Sequence, residues 1–160
     1  MKIAICPGSF DPVTLGHLDI ITRSSKIFDK VIVVVMKNFQ KNAPSFTAEE
    51  RVDFLKRCTF HLSNVEIDAY SGLLADYASQ HGAVAIVKGL RAVSDFEYEF
   101  QQALTNKKLN AELETVFITT SSEHMFLSSS VVKQVCQLGG DISTFVPPEI
   151  QYDIIKRIQK

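Results

Sequence analysis

Short apolar runs recur along the chain, each followed by a polar or glycine-bearing turn and then by a stretch with helical spacing. They are Lys2 to Cys6, Val31 to Met36, Val65 to Tyr70, Ala83 to Val87 and Glu114 to Thr119. Runs of this length read as strands, and their alternation with helical patterns predicts βαβ units. Val31 to Val35 are apolar at consecutive rather than alternate positions, the pattern of a strand covered on both faces. The expected fold class is α/β, a doubly wound, parallel five-stranded sheet of Rossmann-like type. Within the helical stretches, Leu18, Ile21 and Phe28 share one stripe, and Thr47 to Glu50 and Ser94 to Glu97 both match the capping-box pattern. Gly82 and Gly139-Gly140 mark helix stops after residues 73–81 and 129–138, and Pro147-Pro148 starts a last helix ending in Lys156, Arg157 and Lys160. With no repeat, low-complexity tract or Pro/Gly-rich linker, residues 1–160 read as a single domain.

Composition narrows the function. A chain of 160 residues that is 46% apolar can bury a proper core. Its formal net charge of −1 gives no global basic field, so nucleic acid is not the expected partner and any anion site must be built from a few local cations. A small substrate follows. Cys6, Cys58 and Cys136 are an odd set without C-x-x-C spacing, which argues against a disulfide framework or a zinc site and favours reduced cytosolic thiols. Met1 to Ile5 lack a signal-peptide core and no apolar run approaches membrane-spanning length, so a cytoplasmic protein with no membrane partner is expected.

In open parallel sheets, ligands bind beyond the carboxyl ends of the strands, where strand order reverses. After the first strand comes the turn from Cys6 to His17, in which Gly8 and Gly16 permit close approach of an anion and Ser9, Thr14 and His17 supply donors at a helix N-terminus. A lone Gly-x-His would do no more than cap a helix. Here Lys37 to Asn42 follow the second strand, Lys88-Gly89-Leu90-Arg91 the fourth, and Ser121 to Ser130 the fifth, where Ser128-Ser129-Ser130 open a helix. Cations and hydroxyls thus gather at one end of the sheet, around a phosphate-sized guest.

Five segments carry a resemblance that covers essentially the whole chain: Pro7 to Pro12, Thr14 to His17, Phe46 to Arg51, Gly89 to Glu99 and Ser128 to Lys133. Together they resemble bacterial phosphopantetheine adenylyltransferases, members of the nucleotidyltransferase superfamily with a (H/T)-x-G-H motif. The Thr14-x-Gly16-His17 element marks only the superfamily; the segment from Gly89 to Glu99 makes the likeness specific. The resemblance implies transfer of an adenylyl group from ATP to 4'-phosphopantetheine, giving dephospho-coenzyme A and pyrophosphate. It implies His17 as a transition-state stabiliser, assisted by Lys41 and Arg91. Ser9, Phe10, His17, Gly89, Leu90, Arg91, Glu99 and the run His124, Met125, Phe126, Leu127, Ser128, Ser129 and Ser130 would hold ATP; Ser9, Lys41, Leu74 and Lys88 would line the phosphopantetheine site. Lys37 is the other candidate for the role given to Lys41. Magnesium is the implied cofactor, with no protein side chain assigned to it, and a homohexamer inhibited by coenzyme A is the implied assembly. The chain departs from the family pattern at Lys88, usually Arg, and at His124, often aromatic.

The chemistry explains why such residues are wanted. A phosphomonoester has a second pKa of about 6, so the acceptor is mostly a dianion at neutral pH and needs no general base. The barrier lies in bringing two polyanions together, which positioning and electrostatics must overcome. No covalent intermediate is required, so none of the cysteines need act. His61 and His81 sit near expected helix C-termini and read as structural. Glu97 reads as a capping partner of Ser94, and Phe96, Tyr98 and Phe100 as core or subunit interface. Two other readings stay open: the same reaction on another acceptor such as nicotinate mononucleotide, and a nucleotide- or coenzyme A-sensing protein without turnover.

Overall fold

The computed structural model describes residues 1–37 and 43–159, and the side chains of all of these except Val93 and Ser94. Five strands, β1 (Ile3–Gly8), β2 (Lys30–Met36), β3 (Val65–Tyr70), β4 (Ala85–Leu90) and β5 (Glu114–Thr119), form one sheet in the order β3-β2-β1-β4-β5. Every pairing is parallel, so the expected doubly wound sheet is present. The helices are α1 (Leu15–Ile27), α2 (Ala48–Thr59), α3 (Leu74–Gln80), α4 (Val93–Leu109), α5 (Ser129–Gln137) and α6 (Pro148–Ile158).

Strand alternation divides the core in two. Ala4 and Cys6 of β1, Val31, Val33 and Val35 of β2 and Ala85 and Val87 of β4 pack with Ile20, Ile21, Leu55, Val132, Ile150 and Ile154 of α1, α2, α5 and α6. The intervening Ile5, Ile32, Val34 and Ile86 pack on the opposite face with Ala75, Tyr77 and Ala78 of α3. The consecutive apolar run in β2 therefore serves both faces. Thr47 and Glu50 close the expected capping box of α2, and Gly82 and Gly139 follow α3 and α5 with φ of +62° and +79°.

Two expectations are corrected. First, β1 continues through Pro7 and Gly8, and β4 begins at Ala85 and runs on through Lys88 and Gly89 to Leu90, so residues taken for turns belong to strands. Each strand keeps an outer partner to its end, Gly8 pairing with Val35 and Leu90 with Thr119. Second, Ser94 does not cap α4. The helix starts two residues earlier, at Val93 with Ala92 as the N-cap and no side-chain capping bond there, because the chain turns straight from β4 and Asp95 and Phe96 both donate N–H bonds to the Ala92 carbonyl.

Candidate functional site

Strands β1 and β4 are neighbours in the sheet yet pair only at Ala4 with Ala85 and Ile5 with Ile86. Beyond that point they part, at the place where strand order reverses. Cys6, Pro7 and Gly8 on one side and Val87, Lys88 and Gly89 on the other line the resulting cleft, of about 240 Å³. Phe10, Thr14, Gly16 and His17 close one wall, Arg91, Asp95 and Glu99 the other, and Thr120, His124, Leu127, Ser128 and Ser129 the third. Gly8 is needed for its missing side chain: a Cβ there would stand 2.9 Å from the Phe10 ring. Gly89 faces α1 in the same way, with a Cβ position 3.0 Å from Ile20 Cγ1.

The β1–α1 wall is anchored chiefly through main-chain groups. Thr14 caps α1, accepting the His17 N–H through its Oγ1 at 3.3 Å, and the Thr14 N–H donates to His17 Nδ1 at 3.0 Å. Because an N–H can only donate, Nδ1 carries no proton and Nε2 carries the one that neutral imidazole has. Burial, reinforced by Arg91 and then Lys88, lowers the His17 pKa from 6.5 to about 4, so the ring is neutral at pH 7. Phe10 has φ +47°, an uncommon conformation for a side-chain-bearing residue, and is held there by its neighbours. Buried Arg51 donates to the Ser9 carbonyl at 2.7 Å and to the Thr47 carbonyl at 3.2 Å, while the Phe10 ring meets His17 edge-on at 5.2 Å. Buried Asp11 accepts the N–H groups of Ser45 and Phe46 at 3.0 and 2.9 Å and Lys133 Nζ at 3.1 Å. Ser129 Oγ donates to the Pro12 carbonyl at 2.7 Å, fixing the start of α5 beside the same turn.

The β4–α4 wall is built on ion pairs. Strand alternation sends Lys88 to the α4 face, where it stands 3.4 Å from Glu99. Arg91 Nε lies 3.1 Å from Asp95, and its Nη1 donates to the Leu127 carbonyl at 2.8 Å. Ser128 caps α5 by accepting the Val131 N–H at 3.1 Å, leaving the first turn of that helix toward the cleft. Such an arrangement offers neutral and cationic donors to a polyanion. The Cys6 thiol in the floor is pushed up to about 11 by burial, so it stays protonated and unreactive.

Of the residues expected at the site, Phe10, His17, Lys88, Gly89, Arg91, Glu99, His124, Leu127, Ser128 and Ser129 surround the cleft. Ser9, Leu90, Met125, Phe126 and Ser130 adjoin them in sequence without lining it, and Leu74 begins α3, after the edge strand β3. Lys41 lies outside the described residues, as do 38–40 and 42; Lys37 sits at the end of β2, exposed. Sequence reasoning assigned no role to Asp11, Arg51, Asp95 or Lys133. Asp95 was findable, an acid four residues after Arg91 at the expected start of a helix. Asp11 and Arg51 act on backbone groups distant in sequence, for which no local signal exists. Among the described residues, no three of His, Cys, Asp and Glu gather closely enough to hold a metal ion, and no helix is long and apolar enough to cross a membrane.

Known proteins share this frame. Residues 5–135 match the cytidylyltransferase-like family. A phosphopantetheine adenylyltransferase from Clostridium botulinum is 54% identical over 98% of both chains. One from Alkaliphilus metalliredigens is 58% identical over 92% of this chain and 93% of its own, and one from Caldanaerobacter subterraneus 52% identical over 100% and 99%. In structure, a Vibrio parahaemolyticus protein described as a nicotinate-nucleotide adenylyltransferase superposes with a TM-score of 0.67 over 98% of this chain and 96% of its own at 20% identity, a likeness of fold. The chain belongs to the phosphopantetheine adenylyltransferases, a family of nucleotidyltransferase enzymes within the cytidylyltransferase-like group.

Proposed function

We propose that this enzyme transfers the adenylyl group of ATP to the 4'-phosphate of phosphopantetheine, releasing pyrophosphate and dephospho-coenzyme A in the coenzyme A pathway. The observation that carries the reading is the cleft at the β1–β4 split, where neutral His17, Lys88, Arg91 and the start of α5 face one volume. An acceptor phosphate oxygen attacks the α-phosphorus, the bond from that phosphorus to the β-bridging oxygen breaks, and pyrophosphate leaves with the electron pair. His17 Nε2–H donates to the α-phosphate oxygens as charge builds on them; a neutral donor needs no proton exchange to do so. Arg91 and the α5 N-terminus hold the leaving pyrophosphate. Lys88 aligns the acceptor phosphate, with Lys41 or Lys37 completing that side.

Asp95 and Glu99 are not available as a metal cage, being paired with Arg91 and Lys88. Magnesium fits as an ion carried on the triphosphate oxygens, where it neutralises part of the substrate's charge. The Lys88–Glu99 and Arg91–Asp95 pairs are half-buried, and a polyphosphate, carrying more charge than a single carboxylate, can draw Arg91 and Lys88 away from their partners as it binds. The same reading takes the enzyme to be cytoplasmic, inhibited by coenzyme A and homohexameric. Exposed Phe96, Tyr98, Phe100, Leu104 and Leu109 on α4 support a covering subunit.

The test is pyrophosphate release from ATP and magnesium with phosphopantetheine, nicotinate mononucleotide or a phosphorylated polyol as acceptor. Release with phosphopantetheine, accompanied by dephospho-coenzyme A, is expected. Release only with another acceptor overturns the substrate; ATP binding without release from any acceptor would make the chain a sensor.

A further inference from the structure

The third wall of the cleft, from Thr119 to Ser128, is a connection between β5 and α5 with one short turn of its own at Ser122–His124. It contributes Thr120, His124, Leu127 and Ser128 to the cleft. Its attachment to the rest of the molecule is specific. Asp19, on α1 two residues after His17, accepts the Ser121 hydroxyl at 2.7 Å and Arg23 Nη1 at 3.1 Å through the same Oδ2. Arg23 Nη1 also donates to the Thr119 carbonyl at 2.8 Å. One carboxylate and one guanidinium thus bind both the last residue of β5 and the first turn of the connection. Immediately beyond, the His124 N–H bonds the Ser121 carbonyl at 2.9 Å, and the Cβ position of Gly16 lies 3.5 Å from His124 Cβ. The helix that presents His17 therefore also sets where His124 and Leu127 stand.

We infer that the Asp19–Arg23–Ser121 cluster consists of positioning residues that hold the Thr119 to Ser128 wall in its nucleotide-binding place against α1. This rests on the proposed function for the identity of the nucleotide. None of the three lines the cleft, so they act through His124 and Leu127. An unfastened connection would have to be ordered when the nucleotide binds, and that entropy would be subtracted from its affinity. Among the described residues, no hydrogen bond or ion pair joins the acceptor side, built on Lys88 of β4 and the end of β2, to this cluster. The loss must fall on one substrate.

The experiment compares Ser121→Ala, Ser121→Thr, Asp19→Ala and Asp19→Asn with wild type. ATP dissociation constants come from calorimetry, KM for ATP and phosphopantetheine from pyrophosphate release, and Tm from circular dichroism. Removing a hydrogen bond to a charged group predicts about tenfold weaker ATP binding for Ser121→Ala and Asp19→Ala. Phosphopantetheine KM should stay within about twofold of wild type, and Ser121→Thr, which keeps the hydroxyl, should restore ATP binding. Asp19→Asn should fall between, keeping an acceptor for Ser121 but losing the pair with Arg23. Should Asp19→Ala not fold, Ser121→Ala carries the test by itself. Unchanged ATP affinity, or equal losses for both substrates, overturns the inference. If wild type binds ATP yet does not use phosphopantetheine, the proposed function fails while the calorimetric arm still decides the clamp.

Discussion

On the β1–α1 wall, His17, Phe10 and the turn around them are held by bonds to main-chain groups: Thr14 N–H to the imidazole, Arg51 to the Ser9 carbonyl, Asp11 to the N–H groups of Ser45 and Phe46. On the β4–α4 wall, Lys88 of β4 and Arg91 just after it are each matched to a carboxylate side chain of α4, Glu99 and Asp95. The first wall is fixed before substrate arrives; the second holds charge that must change partners. This division suits the reaction. A donor to the α-phosphate must be aimed at charge that exists only in the transition state, whereas cations gripping substrate phosphates can settle as those groups bind.

Disabling the fixed wall should have the largest effect. His17→Ala removes the aimed donor and is expected to fold, to bind ATP nearly as wild type and to lose about 10²–10³ in kcat, read by turnover and calorimetry on one preparation. Near wild-type kcat in a folded variant would dissolve the distinction. Asp11→Ala leaves two N–H groups and Lys133 without their common acceptor, and should destabilise the fold by about 3 kcal/mol in urea unfolding. A change under about 1 kcal/mol would mean that this wall is not tied down through Asp11.

The exchanging wall should lose less. Arg91→Ala is expected to weaken ATP, and pyrophosphate in the reverse reaction, by about 10- to 100-fold, since one group serves both directions. A variant impaired only toward phosphopantetheine would place Arg91 on the other substrate. Lys88→Ala should raise KM for phosphopantetheine and lower kcat by roughly tenfold or less, and Lys88→Arg should retain activity, its planar fork gripping two oxygens where Lys offers a point charge. Steady-state kinetics with phosphopantetheine varied at saturating ATP check both, and an alanine variant equal to wild type would take Lys88 out of the site.

The contrast also marks what the sequence could reveal. The apolar runs placed β3 and β5 at their observed bounds and the order of elements along the chain. They failed at the inner ends of β1 and β4 because Pro7, Gly8, Lys88 and Gly89 look like turn chemistry, whereas each is the end of a strand paired on its outer side only. The capping box expected at Thr47 forms and the one expected at Ser94 does not: the same local pattern has two outcomes, set by how tightly the chain leaves the preceding strand. At the site, groups acting through local bonds, such as Thr14 with His17, could be read. The anchoring by Arg51 and Asp11 depends on contacts between segments 34 to 122 residues apart, and only the fold supplies them.

The most direct test of the fixed wall is the protonation state of His17, followed by the nitrogen-15 resonances of its imidazole across a pH titration. Nδ1 should be unprotonated and Nε2 protonated at pH 7, with the ring titrating at about 4 instead of the usual 6.5. Between those values the unfolded chain binds a proton that the folded one refuses. The stability that neutral His17 contributes is therefore complete above pH 6.5 and lost as pH falls toward 4, and His17→Asn should lack that part of the acid sensitivity. A ring neutral and Nε2-protonated down to about pH 5 is the predicted result; titration near 6.5, or a proton on Nδ1 at neutral pH, would contradict a wall fixed before substrate arrives.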